Sequence, residues 1–185
     1  MFSRLTNILA TGIILMGYAM GDTMGHPATR SEQADCLTDT DVALITGVYQ
    51  GLISQYNDSL CNSFCALEMY DWDETMSILL GRPTGEPLFK NRDEFMAYQR
   101  ITPPQPVTIQ KVQAVACTSM TLILTASFGE AMERIRGISV LSLRRNDAGN
   151  SWLITGIDAE FNGLAWLSDL GGNFTLPGGN VPLLG

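Results

Sequence analysis

Histidine is nearly absent from this chain: its 185 residues hold one, His26, close to the N-terminus. Imidazole is the side chain that changes charge near neutral pH and a common zinc ligand. Its scarcity argues against His-based acid–base catalysis and most zinc sites. Positive charge is also short, with eleven Lys and Arg against nineteen Asp and Glu and a formal net charge of −8. A nucleic-acid partner needs a cationic footprint that displaces counterions from phosphates, and none is present. No G-x-G-x-x-G run or phosphate-binding loop precedes a helix; Gly171-Gly172 and Gly178-Gly179 read as flexible tail. What is there is ordinary for a globular protein of about one domain, 45% hydrophobic and 16% charged.

The N-terminal stretch reads as a targeting segment. Arg4 is its only charge before Asp22, and an apolar run from Ile8 to Tyr18 follows. A basic start, a short apolar run and small residues at Ala19 and Gly21 make the layout of a secretory signal peptide cleaved near Gly21. The run is short for a bilayer span of ~20 residues. Gly12 and Gly17 weaken it further, so no stable membrane anchor is expected after cleavage. Residues 1–21 are thus expected to be a signal peptide, residues 22–35 a flexible polar leader, and the protein to enter the secretory pathway.

Secretion changes how the four cysteines read, because an even number in an oxidising compartment suggests disulfides. Three pairings are possible. Cys36 lies just before the first helix and Cys117 at a strand end in the sheet that helix packs on, so these two are expected to be joined. Cys61 and Cys65 lie four apart in what reads as a helix, where a bridge forms only with strain. A metal site without histidine would need four thiolates and no C-x-x-C pair is present, so no metal is expected. The sequons Asn57-Asp58-Ser59 and Asn173-Phe174-Thr175 are candidate glycosylation sites.

Helices come first and strands later. Thr38 and Asp39 look like caps, followed by Val42, Ile45, Tyr49, Leu52, Ile53 and Tyr56 at helical spacing. A second helix is expected from Asp58 or Ser59, carrying Leu60, Phe64, Leu67 and Met69. Short helices are expected over 74–80 and 91–100, before Pro103-Pro104-Gln105-Pro106 breaks the chain. The period then changes to two, predicting strands over Val107–Val115, Met120–Phe128, Arg134–Arg145 and Ser151–Phe161. Helices followed by a meander of antiparallel strands make an α+β layer arrangement.

One stretch is more specific. Trp152-Leu153-Ile154 leads through Asp158-Ala159 to Glu160-Phe161-Asn162-Gly163-Leu164-Ala165-Trp166-Leu167, then Asp169 and Gly171. This resembles the C-terminal signature of a family of fungal secreted proteins with a nuclear-transport-factor-2-like (SnoaL-like) domain. Cys36-Leu37, Phe89, Phe95, Pro103-Pro104 and Cys117 agree in order. The resemblance covers residues 36–172, with 173–185 left as an irregular tail. It implies a cone: N-terminal helices packed on a curved antiparallel sheet around a pocket. Relatives of that fold include SnoaL-type polyketide cyclases, scytalone dehydratase and steroid isomerases, and fold alone does not choose among them.

In such a cone the candidate polar groups are Tyr49 and Tyr56 on the first helix, Asp71 and Asp73 beside Trp72, Tyr98 and Gln99, and Asp158 and Glu160 on the last strand. Trp166 is a further candidate for ligand contact. Asp158 and Glu160 alternate on one face with Trp152 and Ile154. If that face looks into the cone, burial would raise a carboxyl pKa and fit it for acid–base work; otherwise both are solvent-facing. Asp158, Glu160 and Asp73 are the candidate catalytic residues, and Tyr49, Tyr56, Tyr98 and Trp166 the candidate substrate-binding ones. The bland alternatives are core packing for the tyrosines and a solvated rim for Asp71 and Asp73.

A dehydratase mechanism that relies on His does not carry over to a fold without one. What fits is a cofactor-free isomerase or cyclase, with a carboxylate base and a Tyr donor, or a pericyclase that works by holding a flexible polyene in a reactive shape. The expected partner is a hydrophobic polyketide or terpenoid intermediate of fungal secondary metabolism. The alternative is a secreted ligand carrier or effector without catalysis. Sheets of this fold often pair face to face, so a homodimer is also expected.

Overall fold

The computed structural model describes residues 36–172. The expected signal peptide, the leader with His26, and the tail with Asn173 lie outside the described residues. Helix α1 (Asp39–Ser54) starts at a reciprocal cap: the Thr38 hydroxyl accepts from the Asp41 N–H, and the Asp41 carboxylate accepts from the Thr38 N–H at 3.0 Å. Its apolar stripe of Ile45, Val48, Tyr49 and Leu52 is buried. Helix α2 (Asp58–Phe64), capped by Asn57, runs straight into strand β1 (Cys65–Trp72). Helices α3 (Glu74–Leu79) and α4 (Arg92–Gln99) follow. Then come β2 (Val107–Ala116), β3 (Ser119–Ala126), β4 (Ile135–Arg145), β5 (Trp152–Phe161) and a closing helix α5 (Gly163–Asp169) capped by Asn162. Among the described residues no helix is long and apolar enough to cross a membrane.

The five strands make one curved sheet in the order β1-β5-β4-β3-β2. The meander β2 to β5 is antiparallel as expected. The sheet as a whole is mixed, because β1 pairs parallel with β5. The expected second helix, carried from Asp58 or Ser59 as far as Met69, ends at Phe64, and β1 takes its place. Leu60, Phe64, Leu67 and Met69 do recur at helical spacing, but Leu67 is exposed, the pairing with β5 shifts register between Cys65 and Tyr70, and from there burial alternates, with Met69 and Asp71 buried and Tyr70 and Trp72 half-buried. Helix α5 was unassigned by periodicity, being too short to show any.

Cys36 and Cys117 are disulfide-bonded, with Cα atoms 3.8 Å apart. The bridge ties the entry of α1 to the β2–β3 turn, where the Leu37 N–H also donates to the Cys117 carbonyl. Cys61 and Cys65 are free thiols, both buried. They are in hydrogen-bond contact, which favours the Cys61 thiolate and holds the Cys65 thiol up.

A bulge decides which face of β5 looks inward. Leu143 pairs with Ile154, but Ser142 pairs with Gly156, so Thr155 is the extra residue. Before it, Trp152 and Ile154 point to the core. After it, Ile157, Ala159 and Phe161 stand opposite the inward-facing Leu141, Ser139 and Gly137 of β4.

Candidate functional site

The concave face of the sheet, α1, α4 and the turn from β1 into α3 enclose a cavity of about 80 Å³. Its walls are mostly apolar: Ile53, Met76, Leu88, Phe89, Val107, Leu124, Ile157, Ala159, Phe161 and Trp166. Into it project Tyr49, Ser139, Asp71, Asp73, Tyr98, Gln99 and Gln105, with Glu160 at the margin.

Two carboxyl groups sit at the end of β1. Asp71 is 8% exposed and its Oδ1 has no hydrogen-bond partner. The backbone N–H and C=O of Asp71 both bond to Phe89, which fixes the residue while leaving that oxygen available to the cavity. Burial, together with the charges of Asp73 and Asp158, pushes its pKa well above the usual carboxylate range. Asp73 is 6% exposed and caps α3, its Oδ1 accepting from the Met76 N–H at 2.8 Å. Burial raises its pKa to about 7, helped by Glu160 and opposed by the cap hydrogen bonds. Burial thus favours the protonated form of Asp71, and Asp73 is poised near neutral pH between its two forms.

Tyr49 stands over this pair from α1. Its hydroxyl is 2.7 Å from the Ser139 hydroxyl of β4, either being able to donate, and both residues are buried. Burial pushes the phenol pKa up, so Tyr49 stays a neutral donor. Tyr98 lines the cavity with its ring against Phe89, centroids 5.1 Å apart. Trp166 closes another side, packed on Phe161 and Phe128.

Other expected residues fall elsewhere. The expectation that Asp158 and Glu160 share the inward face is corrected for Asp158: after the Thr155 bulge the two stand opposite Val140 and Ile138, with Asp158 outside the cavity and Glu160 only at its margin. Asp158 accepts from the Tyr70 hydroxyl at 3.0 Å, and Glu160 from Thr75 at 2.9 Å. Tyr56 is corrected too. α1 ends at Ser54, so the residue two turns beyond Tyr49 leaves the shared face, and its hydroxyl donates to Asp58. Asn57 is exposed and caps α2 through its side-chain oxygen. Sequence reasoning named Asp71 as a liner but did not commit to it, and it missed Ser139 and Gln105. An acidic residue two before the acidic cap of a helix was the available signal for Asp71; Ser139 sits at an inward position of β4 with nothing in the sequence to mark it. Among the described residues no group of His, Cys, Asp and Glu stands together to hold a metal ion.

These features can be compared with known proteins. No protein of curated function matches the sequence. Among solved structures, a candidate SnoaL-like polyketide cyclase from Shewanella denitrificans OS-217 is 9% identical with a TM-score of 0.50, covering 72% of this chain and 98% of its own. A SnoaL-like protein of unknown function from Burkholderia thailandensis E264 is also 9% identical with a TM-score of 0.50, covering 69% and 98%. At such identities the likeness is one of fold. The model of the NTF2-like domain matches residues 35–173, spanning the helices, the sheet and the cavity, and the chain therefore belongs to that family.

Proposed function

We propose that the protein is a cofactor-free isomerase or cyclase that moves a proton on a small hydrophobic carbonyl compound. The observation that carries this reading is the pairing of two buried carboxyl groups, Asp71 with an unpartnered oxygen and Asp73 at the cap of α3, beside a Tyr hydroxyl in an apolar cavity. The Asp73 carboxylate takes a proton from the carbon next to the carbonyl. The protonated Asp71 and the Tyr49 hydroxyl donate to the carbonyl oxygen as it gains negative charge, with Ser139 orienting Tyr49. Asp73 then returns the proton at the far carbon of the dienolate, so the double bond moves and no atom is gained or lost. Desolvation makes each donor count for more than in water, and a carboxylic acid kept neutral at pH 7 is suited to donate to such an oxyanion. A ring closure uses the same parts when the enolate carbon attacks an electrophilic carbon of the same molecule.

The substrate class that fits is a polyketide or terpenoid intermediate of fungal secondary metabolism, met in the secretory pathway. The apolar wall and the family's cyclase-like fold support this.

The test is conversion of a β,γ-unsaturated cyclic ketone to its conjugated isomer, followed by enone absorbance across about pH 5 to 9. The rate is expected to rise with an apparent pKa near 7, the value for Asp73, and to collapse in Asp73→Asn. A rate without that dependence, retained by Asp73→Asn, would remove the proposal.

A further inference from the structure

The cavity holding Asp71, Asp73 and Tyr49 is small. Its volume of about 80 Å³ is roughly half that of an engineered cavity, ~150 Å³, that takes a single benzene ring. Ligand sites for drug-sized molecules run to ~300 Å³ or more. A polyketide or terpenoid skeleton cannot lie wholly inside.

A second space adjoins it. An open groove of about 530 Å³ runs between α4 and the connection from α3, lined by Arg82, Pro83, Pro87, Ala97, Ile101 and Glu94 among others. Leu88, Phe89 and Tyr98 line both the groove and the inner cavity. One layer of side chains therefore separates a large open space from the buried carboxyl groups. Ile101, at 79% exposure, presents an apolar side chain to that space.

In this layer Phe89 is 2% exposed, and its backbone and ring are held differently. The Phe89 backbone is bonded twice to Asp71, N–H to C=O at 2.9 and 3.1 Å, so its position beside the carboxyl groups is fixed. Its ring is held only by contacts: Tyr98 at 5.1 Å, Phe95 at 6.0 Å, and the Arg82 guanidinium at 5.3 Å. Arg82 also donates to the Leu88 carbonyl at 2.8 Å, tying the connection down with one side chain. Gly81 and Gly85 in that connection have φ of +66° and +78°, values other residues rarely adopt, and nothing lies within 4 Å of where their Cβ atoms would be.

We propose that the groove and the inner cavity form one composite binding site, joined when the Phe89 and Tyr98 rings turn aside. In it the carbonyl end of the ligand meets Asp71, Asp73 and Tyr49, and the hydrophobic body lies in the groove against Pro83, Pro87, Ala97 and Ile101. The ligand class this selects is elongated: one polar end and an apolar remainder of two rings or more. Of the groove's ionic groups, Lys90 pairs with Glu86 at 2.8 Å and Glu94 accepts from the Lys90 N–H, while the Arg82 guanidinium lies against the Phe89 ring and donates to the Leu88 carbonyl. This inference rests on the proton-transfer reading for the identity of the polar end alone.

The experiment uses the full chain and one probe, 6-acetyl-2-dimethylaminonaphthalene, a neutral two-ring ketone whose emission moves to the blue on leaving water. Wild type is expected to bind it with a blue shift. Ile101→Asp, a change at an exposed position that leaves the inner cavity intact, is expected to weaken binding about tenfold or more, the loss of roughly 1.4 kcal/mol. Phe89→Ala is expected to strengthen binding by removing the barrier. Because Phe89 is buried and its truncation can disturb the fold, Arg82→Ala provides a second release of the same wall and is expected to speed probe entry. Binding that is indifferent to Ile101→Asp would overturn the composite site, and so would no binding to wild type or Arg82→Ala. Binding that responds to Ile101→Asp but not to Phe89→Ala, Tyr49→Phe or Asp73→Asn would place the probe in the groove alone and overturn the composite site, whereas binding that responds to both sets without any turnover of the β,γ-unsaturated ketone would leave the composite site standing and remove the proton-transfer reading instead.

Discussion

Two pairs of acidic residues, each spaced two apart, lie on neighbouring strands of one sheet and have opposite environments. Asp71 and Asp73, at the end of β1, are 8% and 6% exposed and face the cavity. Asp158 and Glu160, on β5, pair in register with Val140 and Ile138 on the outer side of the sheet. The strands run parallel with Trp72 opposite Asp158, so the two pairs are offset by one residue along the sheet. One residue is the difference between inside and outside because side chains alternate. On β5 the extra residue Thr155 supplies the offset. Residue type and spacing are shared; only the register separates a buried acid from a surface charge.

The largest consequence is for catalysis. Asp73→Asn keeps the helix cap, since Asn caps as well as Asp. It removes the base, and turnover of the β,γ-unsaturated ketone is expected to fall by about 10²–10⁴-fold. Asp158→Asn and Glu160→Gln are expected to change the same rate by less than about threefold. Equal losses on both strands would break the comparison.

Stability gives the next effect. A carboxyl whose pKa is raised on folding binds its proton more tightly in the folded state. Between the unfolded value, 3.8, and the folded value, about 7 for Asp73, the folded state holds more protons than the unfolded one. Stability from this group is thus present at acid pH and is lost as pH rises towards 7. Asp71 acts with the same sign. Asp73→Asn is expected to flatten the decline, leaving the variant more stable than wild type near pH 8 by on the order of 2–4 kcal/mol. Urea denaturation at several pH values checks it; a variant with the wild-type slope would contradict it.

The two pairs also show what a sequence can and cannot disclose. The cap at Thr38, the apolar stripe of α1 and the alternation of β2 to β5 are local patterns, and the helices and antiparallel strands follow from them. The stretch 65–72 is not local in that sense. Cys65, Met69 and Asp71 are buried only because β5, some ninety residues later, lies beside them. Until that pairing is known, Phe64, Leu67 and Met69 read equally well as a helix. The bulge at Thr155 is likewise set by the partner strand, and without it Asp158 follows Trp152 and Ile154 to the inside.

A smaller contrast lies in two tyrosine hydroxyls. Tyr49 meets Ser139 inside the cavity, whereas Tyr70 meets Asp158 on the convex face, half-buried. Tyr49→Phe leaves the Ser139 hydroxyl unpaired where water does not reach, and is expected to cost about 1–3 kcal/mol of unfolding free energy. Tyr70→Phe gives its partner back to solvent and is expected to cost less than about 1 kcal/mol. Thermal denaturation of the two variants side by side decides it, and a larger loss for Tyr70→Phe would reverse the assignment of inside and outside.

The smallest effect links the pairs through space. Glu160 is exposed and bonded to Thr75, yet its negative charge is among the causes that raise the pKa of Asp73. Asp158 acts in the same way on Asp71. The β5 acids therefore tune the inner ones, Glu160 from the cavity's margin and Asp158 from outside it. Glu160→Gln removes a negative charge near Asp73, so the carboxylate becomes easier to form, and the rise of rate with pH is expected to move to lower pH by a fraction of a unit. The plateau rate should not change, because the base itself is intact. Asp158→Asn should leave that midpoint nearly where it is, since it acts on Asp71. Added salt screens an exposed charge more than a buried one. Raising ionic strength should therefore shift the wild-type midpoint in the same direction as Glu160→Gln and shift the variant less. A midpoint that ignores both the substitution and the salt would show that burial alone sets Asp73, and that the two strands' acids do not sense each other.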